Sequence, residues 1–339
     1  MIDPRPGSGA SGAAAGLLAP VTEVHYGEEA LLRLNLAGAA AYPDLVTELE
    51  DATGLSFGYR RCGTVIVARD ADDSAALDDL FAYQKGLDLN VERLRRRDLR
   101  ALEPALAPSL RGGILAADDH QVDNRALVAA LATACAHSGV DFVRERVTAV
   151  SPEGTVRVED DTTMSAGKVV VAAGAWSQTI DGLGDALPVR PVKGQLLHLV
   201  DRSGRPPFEH NVRGLDAYLL ARGDGRVVLG ATVEEQGFDT FPTGAGVRTL
   251  LRDGHELVPG IDDLDLAEIA VGLRPGTPDN APLLGLLHER VIAATGHYRN
   301  GILLTPVTAT GIAELVTTDL VPELLAPFSP QRFAVGSRV

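Results

Sequence analysis

Between Thr295 and Pro306 the chain reads Thr-Gly-His-Tyr-Arg-Asn-Gly-Ile-Leu-Leu-Thr-Pro. The apolar run Val291 to Ala294 leads into this stretch, and the helix-patterned Thr310 to Val316 follows it. The spacing predicts a strand, a glycine-punctuated turn and a helix start, a joint that offers unpaired backbone N–H groups to an anion or a polar ring. Gly296 and Gly301 let the backbone approach a ligand closely, and Pro306 suits a loop or a first helical turn. Spacing alone favours a ligand-binding turn over its alternative, an ordinary glycine-rich connection.

The chain has 339 residues, too many for one compact core, so two domains are expected. Hydrophobic residues make up 45%, ample for a core. A formal net charge of -15 argues against a nucleic-acid surface, which needs clustered Lys and Arg. The basic run Arg93 to Arg100 is broken by Leu94, Asp98 and Leu99 and reads as a solvated helix face. Two cysteines, Cys62 and Cys135, are too few for a disulfide framework or a cysteine-based zinc site and fit a reducing cytoplasm. No run is long and apolar enough for a membrane span, and the start lacks a signal-peptide pattern. The eight histidines form no H-x-x-x-H pair, and no G-x-S-x-G elbow occurs, so neither a metal site nor a serine nucleophile is expected.

Residues 7–16 read either as a flexible tail or as a small-residue segment pressed against a cofactor or a neighbouring backbone. Helices are predicted through Leu31 to Leu49, Ser74 to Lys85, Asp98 to Leu102, Asn124 to His137 and Val247 to Val258. Asp123 or Asn124 caps the fourth and Gly139 ends it. Strands are predicted at Thr64 to Ala68, Gly113 to Ala116, Asp141 to Val150 and Ile269 to Leu273, with a hairpin over Thr155 to Val158 and Thr162 to Met164. Lys168 to Ala173 reads as a buried parallel strand, ending at Gly174-Ala175-Trp176-Ser177, where open α/β sheets bind ligands. Leu196 to Val200, Tyr218 to Ala221 and Arg226 to Thr232 suggest an antiparallel sheet.

The wording of the 295–306 stretch closely resembles the C-terminal flavin-binding segment of the D-amino-acid-oxidase and sarcosine-oxidase-type flavoenzymes, and within them the glycine oxidases of thiamine biosynthesis. The resemblance implies an α/β (α+β) fold: a Rossmann-like FAD-binding domain over residues 1–57, 117–185 and 285–330, interleaved with an antiparallel-sheet substrate domain over 58–116 and 186–284. Non-covalent FAD would meet Asp3, Ser11, Ala14, Ala15, Gly16, Val147, Ala173, Gly174, Trp176, Gly296, His297, Arg299, Asn300, Gly301, Ile302 and Leu303. His297 would act through its backbone. Gly7-Ser8-Gly9-Ala10-Ser11-Gly12 has the letters of a phosphate-binding turn, but no strand precedes it. The better reading makes Ile2 to Arg5 the end of the second strand, with Asp3 as the ribose-binding acid. The domain would then be N-terminally truncated, lacking the first strand, its GxGxxG turn and the first helix.

Gly272-Leu273-Arg274-Pro275-Gly276-Thr277-Pro278-Asp279 matches the family's substrate-arginine segment, which gives Arg274 the carboxylate. A guanidinium fork suits that role, holding a planar carboxylate on two parallel bonds and never losing its charge; a plain surface arginine is the alternative. Tyr218 matches a tyrosine near the substrate, or else is half-exposed core. Arg299 matches a second arginine close to the flavin, and Leu17 stands where some relatives have methionine. Asp216 stands where some have histidine. Lys193 lies near the ring or is structural. Thr308-Ala309 replaces a common Thr-Gly, which affects how closely the helix approaches the flavin. The implied reaction is oxidation of glycine or small N-alkylglycines such as sarcosine by O₂, giving imine and then glyoxylate, ammonia and H₂O₂, in a cytoplasmic enzyme, with monomer and homo-oligomer both open. The alternatives are a sarcosine or D-amino-acid oxidase, and a non-catalytic remnant that binds no FAD.

Overall fold

A computed structural model of the chain describes residues 1–333. Its helices are α1 (Ala10–Ala13), α2 (Glu29–Thr53), α3 (Ala71–Gly86), α4 (Arg96–Leu102), α5 (Asn124–His137), α6 (Gly244–Leu257) and α7 (Thr305–Thr318). The first strands are β1 (Leu17–Leu18), β2 (Thr64–Ala68), β3 (Val91–Arg95), β4 (Gly112–Ala116), β5 (His120–Gln121) and β6 (Val147–Val150). Then come β7 (Thr155–Val158), β8 (Thr163–Ser165), β9 (Val169–Val171), β10 (Arg190–Val200) and β11 (Asn211–Arg213). The last are β12 (Tyr218–Ala221), β13 (Arg226–Gly230), β14 (Asp265–Gly276), β15 (Leu283–His288) and β16 (Val291–Thr295).

Local chemistry sets many of these boundaries. The Asp123 carboxylate accepts the Arg125 and Ala126 N–H groups at 3.0 and 3.1 Å and so caps α5, which Gly139 ends in the left-handed region. Asp70 caps α3 in the same way, accepting the Asp73 N–H.

An eight-stranded sheet runs β14-β10-β13-β12-β11-β2-β4-β3. Side chains alternate across it. Val65, Val67, Leu197, Leu199, Val212, Leu219, Val227 and Leu229 bury on one face against Leu250 and Leu257 of α6 and Leu99 of α4. The register pairs Arg274 with Val192, Gly194 with Gly272, Leu196 with Gly230, Gly230 with Tyr218, and Tyr218 with Arg213. All of these therefore share the opposite face.

A smaller sheet, β15-β16-β9, contains the parallel pair β16/β9. Val291 and Ala293 of β16 face one core with Val150 and Val171. Ile292 faces another, packed on Leu31 and Leu34 of α2 and Ile312 and Leu315 of α7. Ile2 makes a parallel bridge to Val143, and β6-β7-β8 form a separate antiparallel sheet. The mixed α/β fold agrees with the class expected from sequence.

Three local expectations are corrected. Arg93 to Arg100 is not one helix face: β3 occupies its first half and α4 the rest. The extended half is held by cross-strand pairing to β4, with Leu94 and Leu99 both buried. Only Val147–Val150 of the segment Asp141 to Val150 is a strand. The strand within Lys168 to Ala173 is parallel as expected, but it is short and not fully buried: it covers Val169–Val171, and Val170 is 42% exposed. The strands expected to form an antiparallel sheet do so, β10 with β13 and β13 with β12, and the larger sheet adds one parallel pair, β11 with β2.

Candidate active site

Two glycines shape the free face of the large sheet. A Cβ on Gly194 would lie 2.3 Å from Arg274 Nη1, and one on Gly230 would lie 2.6 Å from the Tyr218 hydroxyl. Each bare backbone patch thus accommodates a side chain from another strand: the Arg274 guanidinium lies over β10 and the Tyr218 ring over β13. Arg274 Nη1 donates to the Thr232 carbonyl at 3.0 Å, and its weaker contact is the Lys193 carbonyl at 3.5 Å. No carboxylate among the described residues pairs with it. Burial pushes the Tyr218 phenol up against the opposing pull of Arg274, so the phenol is neutral at ordinary pH.

The segment from Ala10 to Leu18 crosses this face. Ala13 approaches Gly272, where a Cβ would come within 2.6 Å of it, and Ala15 packs with Leu196, Leu220 and Val228, with Leu17 and Tyr218 alongside. Asn124 Nδ2 donates to the Ser11 carbonyl at 2.8 Å. Buried Arg222 donates to the Ala15 carbonyl and to Gln121 Oε1, both at 2.5 Å, and burial pushes its pKa down to about 10. Gly16 has φ +79°, and a Cβ there would meet the Val122 carbonyl at 2.0 Å. Only glycine fits. Of the two readings of residues 7–16, the structure shows the pressed segment: α1 and the residues after it lie against the sheet.

The turn from Gly296 to Leu304 approaches the same face from the smaller sheet. The Tyr298 N–H donates to the Pro275 carbonyl at 3.1 Å, one residue beyond Arg274. Ser177 Oγ contacts Thr295 Oγ1 at 2.8 Å and donates to the Gly174 carbonyl at 2.8 Å, which brings the Gly174–Trp176 turn beside the start of the 296 turn. His297 Nε2 lies 3.0 Å from Thr308 Oγ1, and burial pushes its pKa down to about 4, leaving a neutral imidazole. Tyr42 donates to the Ile302 carbonyl at 2.5 Å, anchoring the turn to α2; Asn300 is buried within it. Among the described residues, the N–H groups of Ala15, Gly16, Gly301, Ile302 and Leu303 have no acceptor in the protein.

The remaining expected positions have the following surroundings. Asp3 lies beside Val143, its backbone N–H donating to the Val143 carbonyl at 3.0 Å, and its carboxylate accepts the Arg5 N–H at 2.8 Å. Val147 and Ala173 line the core that Ile2 also touches. Trp176 packs on Phe238 with ring centroids 5.8 Å apart. Lys193 is fully buried and structural: its ammonium ion-pairs with Asp239 and donates to the Phe241 carbonyl at 2.6 Å. Asp216 pairs with Arg69 at 2.9 Å on the surface.

Sequence reasoning missed one group. Glu23, with its side chain 11% exposed, forms ion pairs with Arg213 and, at 3.0 Å, with Arg299. Burial opposes its ionisation, but the two guanidiniums outweigh it and hold its pKa below the usual value. Arg299 also lies 2.6 Å from His25 Nε2 and over the Tyr298 ring at 5.2 Å. Asp119 accepts the Thr22 hydroxyl at 2.5 Å and the Val21 N–H at 3.0 Å, fixing the residues just before Glu23. The one local signal was an acid closely following the Ala15–Leu18 segment; its arginine partners are 190 and 276 residues away.

No group of three or more metal-ligating side chains occurs among the described residues, and no helix there is long and apolar enough to cross a membrane. Residues 1–315 match a family model described as FAD dependent oxidoreductase, DAO. The bifunctional protein ThiO/ThiG of Synechocystis sp. is 37% identical over 334 residues, which cover 96% of this chain and 48% of that relative. The chain spans about half the length of the curated relatives of that name. A glycine oxidase of Geobacillus kaustophilus is 34% identical over 334 residues, covering 96% of this chain and 88% of the relative. The crystal structure of glycine oxidase from Geobacillus kaustophilus superposes with a TM-score of 0.91 at 32% identity, covering 98% of this chain and 91% of that one. The chain belongs to the family of FAD dependent oxidoreductases and has the FAD-binding fold of glycine oxidase.

Proposed function

We propose that this protein oxidises glycine and small N-alkylglycines such as sarcosine, in the cytoplasm, as a source of imine for thiazole assembly. The reading assigns residues 1–57, 117–185 and 285–330 to FAD and residues 58–116 and 186–284 to substrate. The donor set fits the cofactor: the unpaired N–H groups of Ala15, Gly16, Gly301, Ile302 and Leu303 suit the carbonyl oxygens and ring nitrogens of a flavin. When bound, FAD supplies a two-electron acceptor for the hydride equivalent of the substrate Cα–H, with O₂ as the final oxidant and H₂O₂ as product. Water then hydrolyses the released imine to glyoxylate and ammonia.

The protein's own contribution is position and charge. Arg274 holds the substrate carboxylate on its fork. The neutral Tyr218 phenol closes the pocket against larger side chains, and the apolar cluster of Ala15, Leu17 and Leu196 excludes water. The observation that carries the reading is the state of Arg274: its guanidinium donates to two carbonyl oxygens and faces the neutral Tyr218 phenol, with no carboxylate partner among the described residues, whereas Arg213 and Arg299 both pair with Glu23.

The test is Arg274→Ala in the flavin-loaded protein, with peroxide release followed against glycine concentration. Truncating one partner of a desolvated, hydrogen-bonded charge pair costs roughly 2–5 kcal/mol, so KM should rise at least thirtyfold with flavin still bound. Arg274→Lys should recover only part of this, because a point charge cannot reproduce the fork. An unchanged KM removes the assignment.

A further inference from the structure

Two arginines flank Tyr218, and a third, Arg299, joins them through Glu23. Arg213 is its direct cross-strand neighbour on β11, and Arg274 reaches it across the glycine-floored part of the sheet. Arg299 follows Tyr298, whose N–H is bonded beside Arg274. Three guanidiniums drawn partly out of water repel one another and lose hydration. Glu23 is the ionised acid among them. Its two carboxylate oxygens face different arginines, Oε1 toward Arg213 and Oε2 toward Arg299. Asp119, the other acid near Arg213, is pushed up to about 7 by burial against the hydrogen bonds from Thr22 and Val21, so it does not supply a full counter-charge at neutral pH.

We propose that Glu23 is a specificity-determining residue: by pairing Arg213 and Arg299 it leaves Arg274 as the site's open guanidinium, so the enzyme accepts amines bearing one carboxylate and turns away those bearing two. The inference rests on the reading of Arg274 as the carboxylate anchor. A second carboxylate on the substrate's nitrogen would have to displace Glu23 from Arg299, which is the more accessible of its partners with 30% of the side chain exposed. It would then lie in the same basket as an ionised acid. Removing that acid's charge converts the barrier into a binding site.

The experiment compares flavin-loaded wild type with Glu23→Gln by peroxide release, using glycine and N-carboxymethylglycine (iminodiacetate) as substrates. The ratio of kcat/KM for iminodiacetate to that for glycine should rise at least tenfold in Glu23→Gln, through a fall in KM for iminodiacetate. Glu23→Asp, which keeps the charge, should hold the ratio near wild type. Arg299→Leu added to Glu23→Gln should return it there, because the freed cation is gone. A ratio within twofold of wild type in flavin-loaded Glu23→Gln overturns the proposal.

If that variant does not fold, titration of the wild-type flavin spectrum decides, with acetate and malonate as probes. Malonate binding no tighter than acetate supports the proposal, and malonate binding tenfold tighter overturns it. Acetate affinity in Arg274→Met separates the two readings. Its loss there confirms the anchor whatever Glu23 does, and its retention shows that the anchor has failed.

Discussion

Gly194→Ala should disable Arg274 without disturbing the fold. Gly194 sits inside β10 and is not in the left-handed region, so its backbone accepts alanine. Alanine also loses less backbone freedom than glycine on folding. The obstacle is the guanidinium alone: the new methyl would stand 2.3 Å from Nη1 and 2.6 Å from Cζ and Nη2 of Arg274. Ordinary contact needs about 3.5 Å, so the planar group must move by about 1 Å. That displacement breaks the 3.0 Å bond to the Thr232 carbonyl and tilts the fork away from the substrate carboxylate. A misplacement of about 1 Å costs about 100-fold in rate, or roughly 2.7 kcal/mol in kcat/KM.

Peroxide release by flavin-loaded protein gives kcat and KM, and thermal unfolding gives stability. We expect the loss of kcat/KM with a melting temperature at or above wild type. The decisive comparison is the double mutant. In an Arg274→Ala background the methyl has nothing to strike, so Gly194→Ala should cost almost nothing further. Wild-type kinetics in Gly194→Ala, or an equal loss in both backgrounds, would refute the steric argument.

Tyr218→Ala opens space over Gly230 and should raise activity on D-alanine relative to glycine about tenfold, as expected where about one methylene decides fit; an unchanged ratio shows that the pocket wall lies elsewhere. Asp119 keeps its proton in the folded state up to about pH 7, whereas the unfolded chain releases it near the ordinary value. Its stabilising contribution is therefore full below the unfolded pKa and is lost as pH rises through the folded one. Asp119→Asn should gain stability relative to wild type by roughly 2–3 kcal/mol between about pH 5 and pH 8. Urea unfolding of both proteins at the two pH values checks this, and a constant difference would show that Asp119 does not titrate in that window.

What the sequence revealed follows from the range of the interactions involved. Asp123 and Gly139 bound α5 through contacts a few residues long, and the helix has the predicted limits. Tyr218 to Ala221 and the apolar run from Val291 carry their own periodicity, and both strands match. The arrangement of the site is different in kind. Gly194 and Gly230 make room for Arg274 and Tyr218 only once register places them under side chains from other strands, 80 and 12 residues away. The joining of Glu23 to Arg213 and Arg299 has no local signature, because a lone acid in a loop reads as solvated until its partners arrive. β3 was hidden for the same reason: its extension depends on pairing with β4 rather than on its own basic composition.

The charge arrangement also explains why the proposed anchor, Arg274, can stay open. An arginine with no acid partner in a partly desolvated site is costly, and an adjacent carboxylate on the protein would be the simple remedy. Here the available ionised carboxylate, Glu23, is held by Arg213 and Arg299, and two backbone carbonyls give Arg274 only neutral partners. Those carbonyls orient the guanidinium without cancelling its charge. On the proposed reading, a substrate carboxylate meets a fixed cation whose counter-charge is still missing, and binding completes a pair that folding leaves half made. A protein carboxylate in that position would stabilise the empty site and compete with the substrate for the same fork.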